Sequence, residues 1–463
     1  MPPSTSAGLS ARLAEHVAGA RFEQLSAATV ASTCRALLDA VGVMHAASGM
    51  APEVRPFIEL AAADGGRAAA SIFGTERRAS AELAALANGA MAHALDYEDA
   101  LDAAPVHPNA SLVPAVIALA QAHGPVSGAE LVTAIAVGCD LVCRLAVCLR
   151  EDPARLGWYP PTVLGAMGAV AGAARLLRLA PRQVLDAWSL MLLQNSCSGE
   201  ITRDADTVLR AVREAFPAHA AVLVTRLAAA GIPGFSAPFE GDAGFFRLFA
   251  AGQYDVQVLL QDLGSRWYID QLSFKPWPSC RGTHAAIESA LRLRAQHGIT
   301  PDQVAGITVR GGQVHRMLAE PAARKQDPAT SIDAKFSLPY TVATALCHGA
   351  VTLDSFDAPA RGDSQVLALA SAVVFELQPE WDHAPVSGGL RIRMRDGRQL
   401  EAEVTEPLGS PARPLADAQL VDKFVDCLGR SLRPVAPSAA RQLAARILAM
   451  EQEPDAGVLL QGA

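Results

Sequence analysis

The stretch LRIRMRDGRQLEAEV, residues 390–404, decides the fold class of this chain. Apolar and polar residues alternate over 390–394 and again over 400–404, which is the period of a half-buried β-strand. The dipeptide Asp396-Gly397 between the two runs is a strong signal for a two-residue hairpin turn. A similar run at 306–310 predicts a further strand. The sequence therefore predicts a small sheet, with helices between its strands.

Outside this region the pattern is helical. From residue 5 to about residue 265, apolar residues recur at i, i+3, i+4 and i+7, and the same period returns towards the C-terminus. Two terminal helices are too few to form a core alone, so we expect them to pack on the N-terminal helices. The predicted fold is mainly α with an inserted α+β domain. Residues 1–266 and 409–463 form a large all-helical domain, residues 267–408 form a smaller α+β lid domain, and residues 453–463 are expected to be a loose tail.

Composition narrows the class of protein. The 463 residues include 39 Lys and Arg against 47 Asp and Glu, a net charge of −8, and 51% are apolar. This balance excludes a disordered chain and gives no reason to expect a nucleic-acid partner. The most apolar run that we find, 163–174, is shorter than the roughly 20 residues that span a bilayer, so no membrane segment is expected. The sequence starts without a signal-peptide pattern and its cysteines form no CxxC pair, so we expect reduced thiols in a cytoplasmic protein.

An acidic turn at the end of a predicted helix is the first candidate for chemistry. Asp96, Glu98 and Asp99 lie where the helix dipole disfavours anions. His93 stands three residues before Asp96 and shares its helix face, and His107 stands before a proline in a loop. Each of these residues also has an alternative without a function. The acidic turn would then lie in solvent, His93 would be a helix histidine with its hydrogen bonds satisfied, and His107 would be a loop histidine with no role.

Three further stretches look more specific than packing requires. In FKPWPSCRGTH, residues 274–284, two prolines stiffen the backbone around Lys275. Desolvation against Trp277 would lower the pKa of this lysine and make it a candidate base; the alternative is a lysine whose head lies in water. Arg213 would bind a carboxylate through two hydrogen bonds or pair with an acid at the surface. Tyr340 follows a helix-kinking proline, and a buried tyrosine with one hydrogen bond is the alternative there.

The motifs HALDYED…HPNA, GWYPPT, FKPWPSCRGTH and AKFSLPYTVATAL, taken in this order, resemble those of the MmgE/PrpD family. The resemblance covers nearly the whole chain, from about residue 5 to about residue 450. Named activities of the family include 2-methylcitrate dehydratase, cis-aconitate decarboxylase and iminodisuccinate epimerase. The resemblance implies a homodimer, a site between the two domains and no metal or organic cofactor. The sequence contains no HExxH motif, P-loop or His/Cys cluster at zinc spacing, which agrees with the expectation that no metal is needed.

The resemblance also implies site residues. Asp96, His107 and Lys275 stand where the family has working polar residues, and Tyr340 stands where the decarboxylase-like members have a tyrosine. Three positions depart from those members, and the departures argue against cis-aconitate decarboxylation. The departing residues are Arg213 in place of a second lysine, Tyr159 in place of a second histidine, and Ala100 in place of a threonine.

These observations predict a cofactor-independent lyase, dehydratase-like, that acts on a small di- or tricarboxylate by proton transfer next to a carboxylate. Lys275 and Tyr159 are the predicted proton-transfer pair. His107 would bind or protonate the substrate, and Asp96 would orient His107 or Lys275. The predicted substrate-binding residues are Arg213, Arg281, His284 and Tyr340. The alternatives are an epimerase or isomerase of a dicarboxylate that uses the same site, and a family member that binds a carboxylate without turnover.

Overall fold

The structure is a computed structural model that describes residues 8–64, 66–204 and 207–461. The fold is mainly helical with a small sheet, as predicted, and the sheet is mixed. The helices are α1 Leu9–Gly19, α2 Ala27–Met50, α3 Arg55–Asp64, α4 Ala81–Ala94, α5 Pro108–His123, α6 Gly128–Cys148, α7 Pro153–Leu156, α8 Pro160–Leu176, α9 Pro181–Leu192, α10 Leu209–Val212, α11 Ala215–Ala229, α12 Phe245–Ala250, α13 Val256–Leu260, α14 His284–His297, α15 Arg316–Ala319, α16 Ala322–Gln326, α17 Ser331–Lys335, α18 Leu338–His348, α19 Ala358–Arg361, α20 Ser364–Ala370, α21 Asp417–Gly429, α22 Pro437–Leu448 and α23 Ala456–Gln461. The strands are β1 Ala70–Ser71, β2 Arg78–Ala79, β3 Ala100–Leu101, β4 Leu272–Ser273, β5 Val304–Gly311, β6 Val373–Leu377, β7 Gly388–Met394 and β8 Gln399–Val404.

The main sheet has the strand order β6-β5-β7-β8. Strands β7 and β8 form the predicted antiparallel hairpin, and Gly397 in its turn has a φ of +91°, a conformation that glycine adopts without strain. Strand β6 pairs parallel to β5 at the edge of the sheet and was not predicted. Its pattern is weak because this edge strand is half exposed; the side chain of Val374 is 58% accessible.

Glycines let several helices of the N-terminal part approach each other closely. A Cβ on Gly89 in α4 would lie 2.6 Å from the carbonyl oxygen of Glu214, and one on Gly168 in α8 would lie 2.1 Å from Val142 Cγ2. Any larger residue would force these helices apart. The start of α11, where Glu214 is the N-cap residue, therefore packs directly on α4.

The C-terminal helices α21 and α22 pack on α2, as expected for helices that lack a core of their own. The expectation of a loose tail at 453–463 is wrong for the described residues. Residues 456–461 form α23, which packs on α5 and buries Leu459 and Leu460. Burial of these leucines stabilises the helix, which is the physical reason for the correction. The domain limits stay a prediction, and residues 1–7, 462 and 463 lie outside the described residues.

Two helices, α2 and α6, are long and apolar enough to cross a membrane, and the sequence analysis overlooked both. Within the protein, 67% of the most apolar window of α2 and 89% of that of α6 are buried. Burial of this extent is typical of helices in a protein core. Helix α6 also contains a buried ion pair, in which Arg144 Nε lies 2.6 Å from Asp140 Oδ2.

Candidate active site

A two-residue antiparallel pair, β3 with β4, brings the centre of the site together. It places Ala100 opposite Ser273, so the turn after α4 lies beside the segment that follows β4. Asp96 lies in that turn with a φ of +48°, a left-handed conformation that aspartate adopts more readily than most residues. The pairing thereby joins Asp96 to Lys275, which is 179 positions away in the sequence.

Lys275 and Asp96 form a fully buried ion pair. Lys275 Nζ donates hydrogen bonds to Asp96 Oδ1 at 2.7 Å and to the Asp96 carbonyl oxygen at 2.9 Å. Burial lowers the pKa of Lys275, but the carboxylates of Asp96 and Glu98 outweigh burial and raise this pKa overall. The lysine is therefore an ammonium ion, and the expectation of a base with a lowered pKa is wrong.

Glu98 holds two histidines in one orientation. Its Oε1 accepts a hydrogen bond from His93 Nδ1 and lies 3.1 Å from His107 Nδ1. His107 Nδ1 also lies 3.0 Å from the Asp99 carbonyl oxygen, which can only accept, so Nδ1 carries the proton and Nε2 does not. Burial, followed by the Lys275 ammonium, holds the pKa of His107 well below its usual value. His107 is therefore a neutral imidazole, and 13% of its side chain is exposed.

The same residues form a set that could hold a metal ion. His93, Asp96, Glu98 and His107 each place one ligand atom within 4.8 Å of the others, and the sequence analysis missed this set. Imidazoles and carboxylates are ligands that zinc accepts. Two contacts oppose an ion, because Lys275 already supplies a cation to Asp96 and because Glu98 accepts the Nδ1 hydrogen bond of His93. The expected absence of a metal cofactor stays a prediction.

Tyr159 and two arginines form the second part of the site. Tyr159 is the N-cap residue of α8, and its hydroxyl accepts a hydrogen bond from Arg210 Nη2 at 3.3 Å. The guanidinium of Arg213 lies 4.9 Å from the centre of the tyrosine ring. Arg213 Nη1 donates to the Arg210 carbonyl oxygen at 2.6 Å, and Arg213 Nε lies 2.9 Å from Glu214 Oε1. The tyrosine hydroxyl thus lies on an arginine and not on a backbone carbonyl.

Several buried polar atoms of these residues have no hydrogen-bond partner within the described ranges. They are Arg213 Nη2, Arg210 Nε, Asp96 Oδ2, Glu98 Oε2 and His93 Nε2. A buried polar group without a partner costs about 1–3 kcal/mol, so such atoms are suited to bind a polar ligand or water. The free Nη2 atom of Arg213 can donate a hydrogen bond to one oxygen of a carboxylate.

Three residues predicted to bind substrate are occupied by structural contacts instead. Arg281 donates to both carboxylate oxygens of Asp102, at 2.9 and 3.0 Å, and to the carbonyl oxygen of Leu408 at 2.9 Å. His284 Nε2 lies 3.2 Å from the Ser279 carbonyl oxygen, and its Nδ1 lies 3.2 Å from Arg281 Nη1. These contacts tie the start of α14 to its surroundings and argue against a role in substrate binding for either residue.

Tyr340 is occupied in the same way. Its hydroxyl donates to the Ser355 carbonyl oxygen at 2.6 Å, and the residue is 1% exposed. The buried tyrosine with one hydrogen bond, the alternative from the sequence, is the arrangement that the structure has.

Sequence reasoning missed Arg210 and assigned no role to two candidates that it named, Glu98 and His93. Glu98 and His93 stand in the acidic stretch that was singled out, but spacing alone does not show that Glu98 turns back to both imidazoles. Arg210 precedes Arg213 by one helical turn, and this spacing was an available signal.

Comparison with known proteins identifies the family. Residues 11–257 match the MmgE/PrpD N-terminal domain, and residues 277–449 match the MmgE/PrpD C-terminal domain. A cis-aconitate decarboxylase-like protein of Aspergillus oryzae is 26% identical over 381 residues, which cover 76% of this chain and 77% of that protein. The cis-aconitate decarboxylase of Homo sapiens is 27% identical over 358 residues, 74% of this chain and 71% of that enzyme. That of Aspergillus terreus is 24% identical over 380 residues, 77% of this chain and 76% of that enzyme.

The two matched domains cover most of the chain in the order that the family has. The family includes decarboxylases and dehydratases, and its substrates are small polycarboxylates. The chain belongs to the MmgE/PrpD family of enzymes.

Proposed function

We propose that the protein is a cofactor-independent lyase, dehydratase-like, that acts on a small di- or tricarboxylate by proton transfer next to a carboxylate. The observation that carries this proposal is the state of His107. Its Nδ1 proton points at the Asp99 carbonyl oxygen and at Glu98, so the lone pair of Nε2 is available to a substrate. A neutral imidazole held in one orientation is suited to work as a general base.

In this mechanism His107 Nε2 removes a proton from the carbon next to a substrate carboxylate. Glu98 stabilises the imidazolium that forms, because its carboxylate oxygen Oε1 lies 3.1 Å from His107 Nδ1. Negative charge develops on the substrate carboxylate, where the Lys275 ammonium and the Arg213 guanidinium stabilise it. Both cations are buried, which strengthens this electrostatic effect.

The hydroxyl group on the neighbouring carbon then leaves as water. Tyr159 donates the proton to this oxygen, and the positive charges of Arg210 and Arg213 stabilise the phenolate left behind. A C–H bond and a C–O bond break, a C=C bond forms, and the Tyr159 proton leaves in the product water. His107 then releases its proton to solvent and Tyr159 takes one up, which restores both residues. Lys275 keeps its proton in this scheme, so the predicted pair of Lys275 and Tyr159 becomes a pair of His107 and Tyr159.

Decarboxylation is the second candidate, favoured by the names of the relatives above. In that reaction a C–CO₂ bond breaks and the carbon then takes up a proton. The site must therefore supply an acid at this carbon, and His107 cannot be that acid because its Nε2 atom has no proton to give. Decarboxylation would need Tyr159 as its acid and would leave His107 without a role as a base. The neutral tautomer of His107 supports dehydration, because that reaction uses a base.

The test is a panel of hydroxy- and unsaturated di- and tricarboxylates, with each product followed by ¹H NMR in D₂O. We expect a hydroxy acid to lose water and give an alkene. Release of CO₂ would replace the proposal by decarboxylase activity, and epimerisation would replace it by epimerase activity. Ligand-induced thermal stabilisation without any turnover would establish the binding alternative and contradict catalysis. His348→Gln is the matched control for a His107→Gln variant, because His348 is an exposed histidine that lies 3.3 Å from the carboxylate of Asp363.

We also propose that the protein is a homodimer, as the family resemblance implies. Exposed apolar side chains on the helical part support this, among them Leu193 at 74%, Phe216 at 59% and Leu209 at 57% accessibility. Light scattering at micromolar concentration measures the mass directly, and a monomer would contradict the proposal.

A further inference from the structure

Lysine is rare in this chain and confined to its interior. It occurs at four positions, 275, 325, 335 and 423, whereas the other cationic side chains are arginines. All four lysines are buried. Lysine usually lies at the surface, so a buried lysine is expected to have a partner or a function. Lys423 lies on α21, in the C-terminal part of the chain, far in sequence from the candidate active site.

The ammonium group of Lys423 joins the two backbone segments of the active site. Its Nζ donates to the carbonyl oxygen of Tyr97 at 2.7 Å and to that of Lys275 at 3.0 Å. Tyr97 is the neighbour of Asp96, and Lys275 is the partner of Asp96. One ammonium group therefore bridges the backbones that carry both members of the buried ion pair.

The segment around Lys275 needs such a contact. The β3–β4 pair ends at Ser273, and the prolines at 276 and 278 have no N–H group with which to continue a strand. Side chains bind its carbonyl oxygens instead. Besides Lys423, Tyr97 donates to the Pro276 oxygen at 3.4 Å and Lys335 donates to the Pro278 oxygen at 3.2 Å.

Lys423 has a carboxylate partner as well. Its Nζ lies 2.6 Å from Asp39 Oδ1 and 3.7 Å from the centre of the Tyr97 ring. A purely structural interpretation would assign Lys423 to this buried ion pair, which fastens α21 to α2. The two interpretations differ in which contacts matter, the one to Asp39 or those to the two carbonyl oxygens.

We propose that Lys423 is a positioning residue of the active site, which holds the Lys275 segment against the Asp96 turn. Helix α21 then contributes to the site through the contacts of Lys423 with two of the site's backbone carbonyl oxygens. The expected effect of Lys423 on the rate of the reaction rests on the proposed function. Its expected effect on the position of Lys275 does not.

The test compares Asp39→Asn with the double variant Asp39→Asn/Lys423→Met. The single variant removes the carboxylate and keeps both carbonyl contacts; the double variant also removes those contacts without leaving a buried charge unpaired. Chains labelled with ¹³C at the lysine ε-carbon give one NMR signal per lysine, and the Lys275→Arg variant assigns the signal of interest. We expect the Lys275 signal to match wild type in Asp39→Asn and to shift in the double variant.

Kinetics supply the second measurement. Relative to Asp39→Asn, the double variant should lose at least about tenfold in kcat with KM changed less than about threefold, because misplaced groups slow the chemical step more than they weaken binding. Asp39→Asn/Lys423→Arg, which restores the donors, should recover part of the loss. An unchanged Lys275 signal in the double variant overturns the positioning role, whether or not a substrate has been found. A shifted signal together with wild-type kcat overturns its importance for catalysis alone.

Discussion

Replacing Lys275 with methionine leaves the Asp96 carboxylate buried without its cation. The pair is fully buried, with its charged atoms 2.7 Å apart. When the ammonium group is removed, no solvent reaches the Asp96 carboxylate to take its place. Such a loss costs about 3–5 kcal/mol in free energy of unfolding. In the double variant Lys275→Met/Asp96→Asn no charge is left unpaired, and Asn tolerates the positive φ of residue 96. We therefore expect the double variant to be more stable than Lys275→Met by at least about 1 kcal/mol.

Urea unfolding followed by circular dichroism measures these differences. Arg441→Met is the matched control, because Arg441 pairs with Asp422 at 2.9 Å on an exposed surface, where a pair contributes about 1 kcal/mol or less. Equal stabilities of Lys275→Met and the double variant, or a cost for Lys275→Met no larger than that of the control, would refute the charged and buried state assigned to the pair.

Three further predictions follow from the site. Burial, aided by the Asp39 and Glu98 carboxylates, raises the pKa of Asp99 to about 8, so the native state keeps a proton that the unfolded chain loses above pH ~4. The free energy of unfolding therefore falls as the pH rises from about 4 to about 8, and Asp99→Asn should remove this dependence. Urea midpoints of both proteins at pH 5 and pH 8 would show or refute it. Tyr159→Phe should lower kcat by about 100-fold with little change in KM, and a change confined to KM would limit Tyr159 to binding. Chelation should leave activity intact, since Lys275 supplies the cation at Asp96, and loss of activity that added metal reverses would show that the His93–His107 set binds an ion.

The fold was largely predictable because its signals are local. The hairpin at 390–404 carries its own turn chemistry, and the helices 417–429 and 437–448 carry clear apolar faces. Strand β6 and helix α23 were missed because neither has a strong pattern of its own. An edge strand that is half exposed and a short helix are stabilised by what they pack against.

The site was predictable in residue type more than in role. Lys275, Asp96 and His107 were selected correctly as neighbours, but the sign of the pKa shift of Lys275 depends on a contact across 179 positions. The same limit applies to Arg281, whose partner Asp102 becomes visible only when β3 pairs with β4. Charge states and hydrogen-bond partners are properties of the folded arrangement.

The measurement that tests the central claim most directly uses the substrate found in the panel, deuterated at the carbon next to its carboxylate. Wild type should release this deuterium to water as the alkene forms, with a primary isotope effect. His107→Gln should bind the same substrate with similar affinity by calorimetry and turn it over at least about 100-fold more slowly. Wild-type turnover in His107→Gln, or a product that keeps the deuterium and loses CO₂, would contradict the assignment of His107 as the base of a dehydratase.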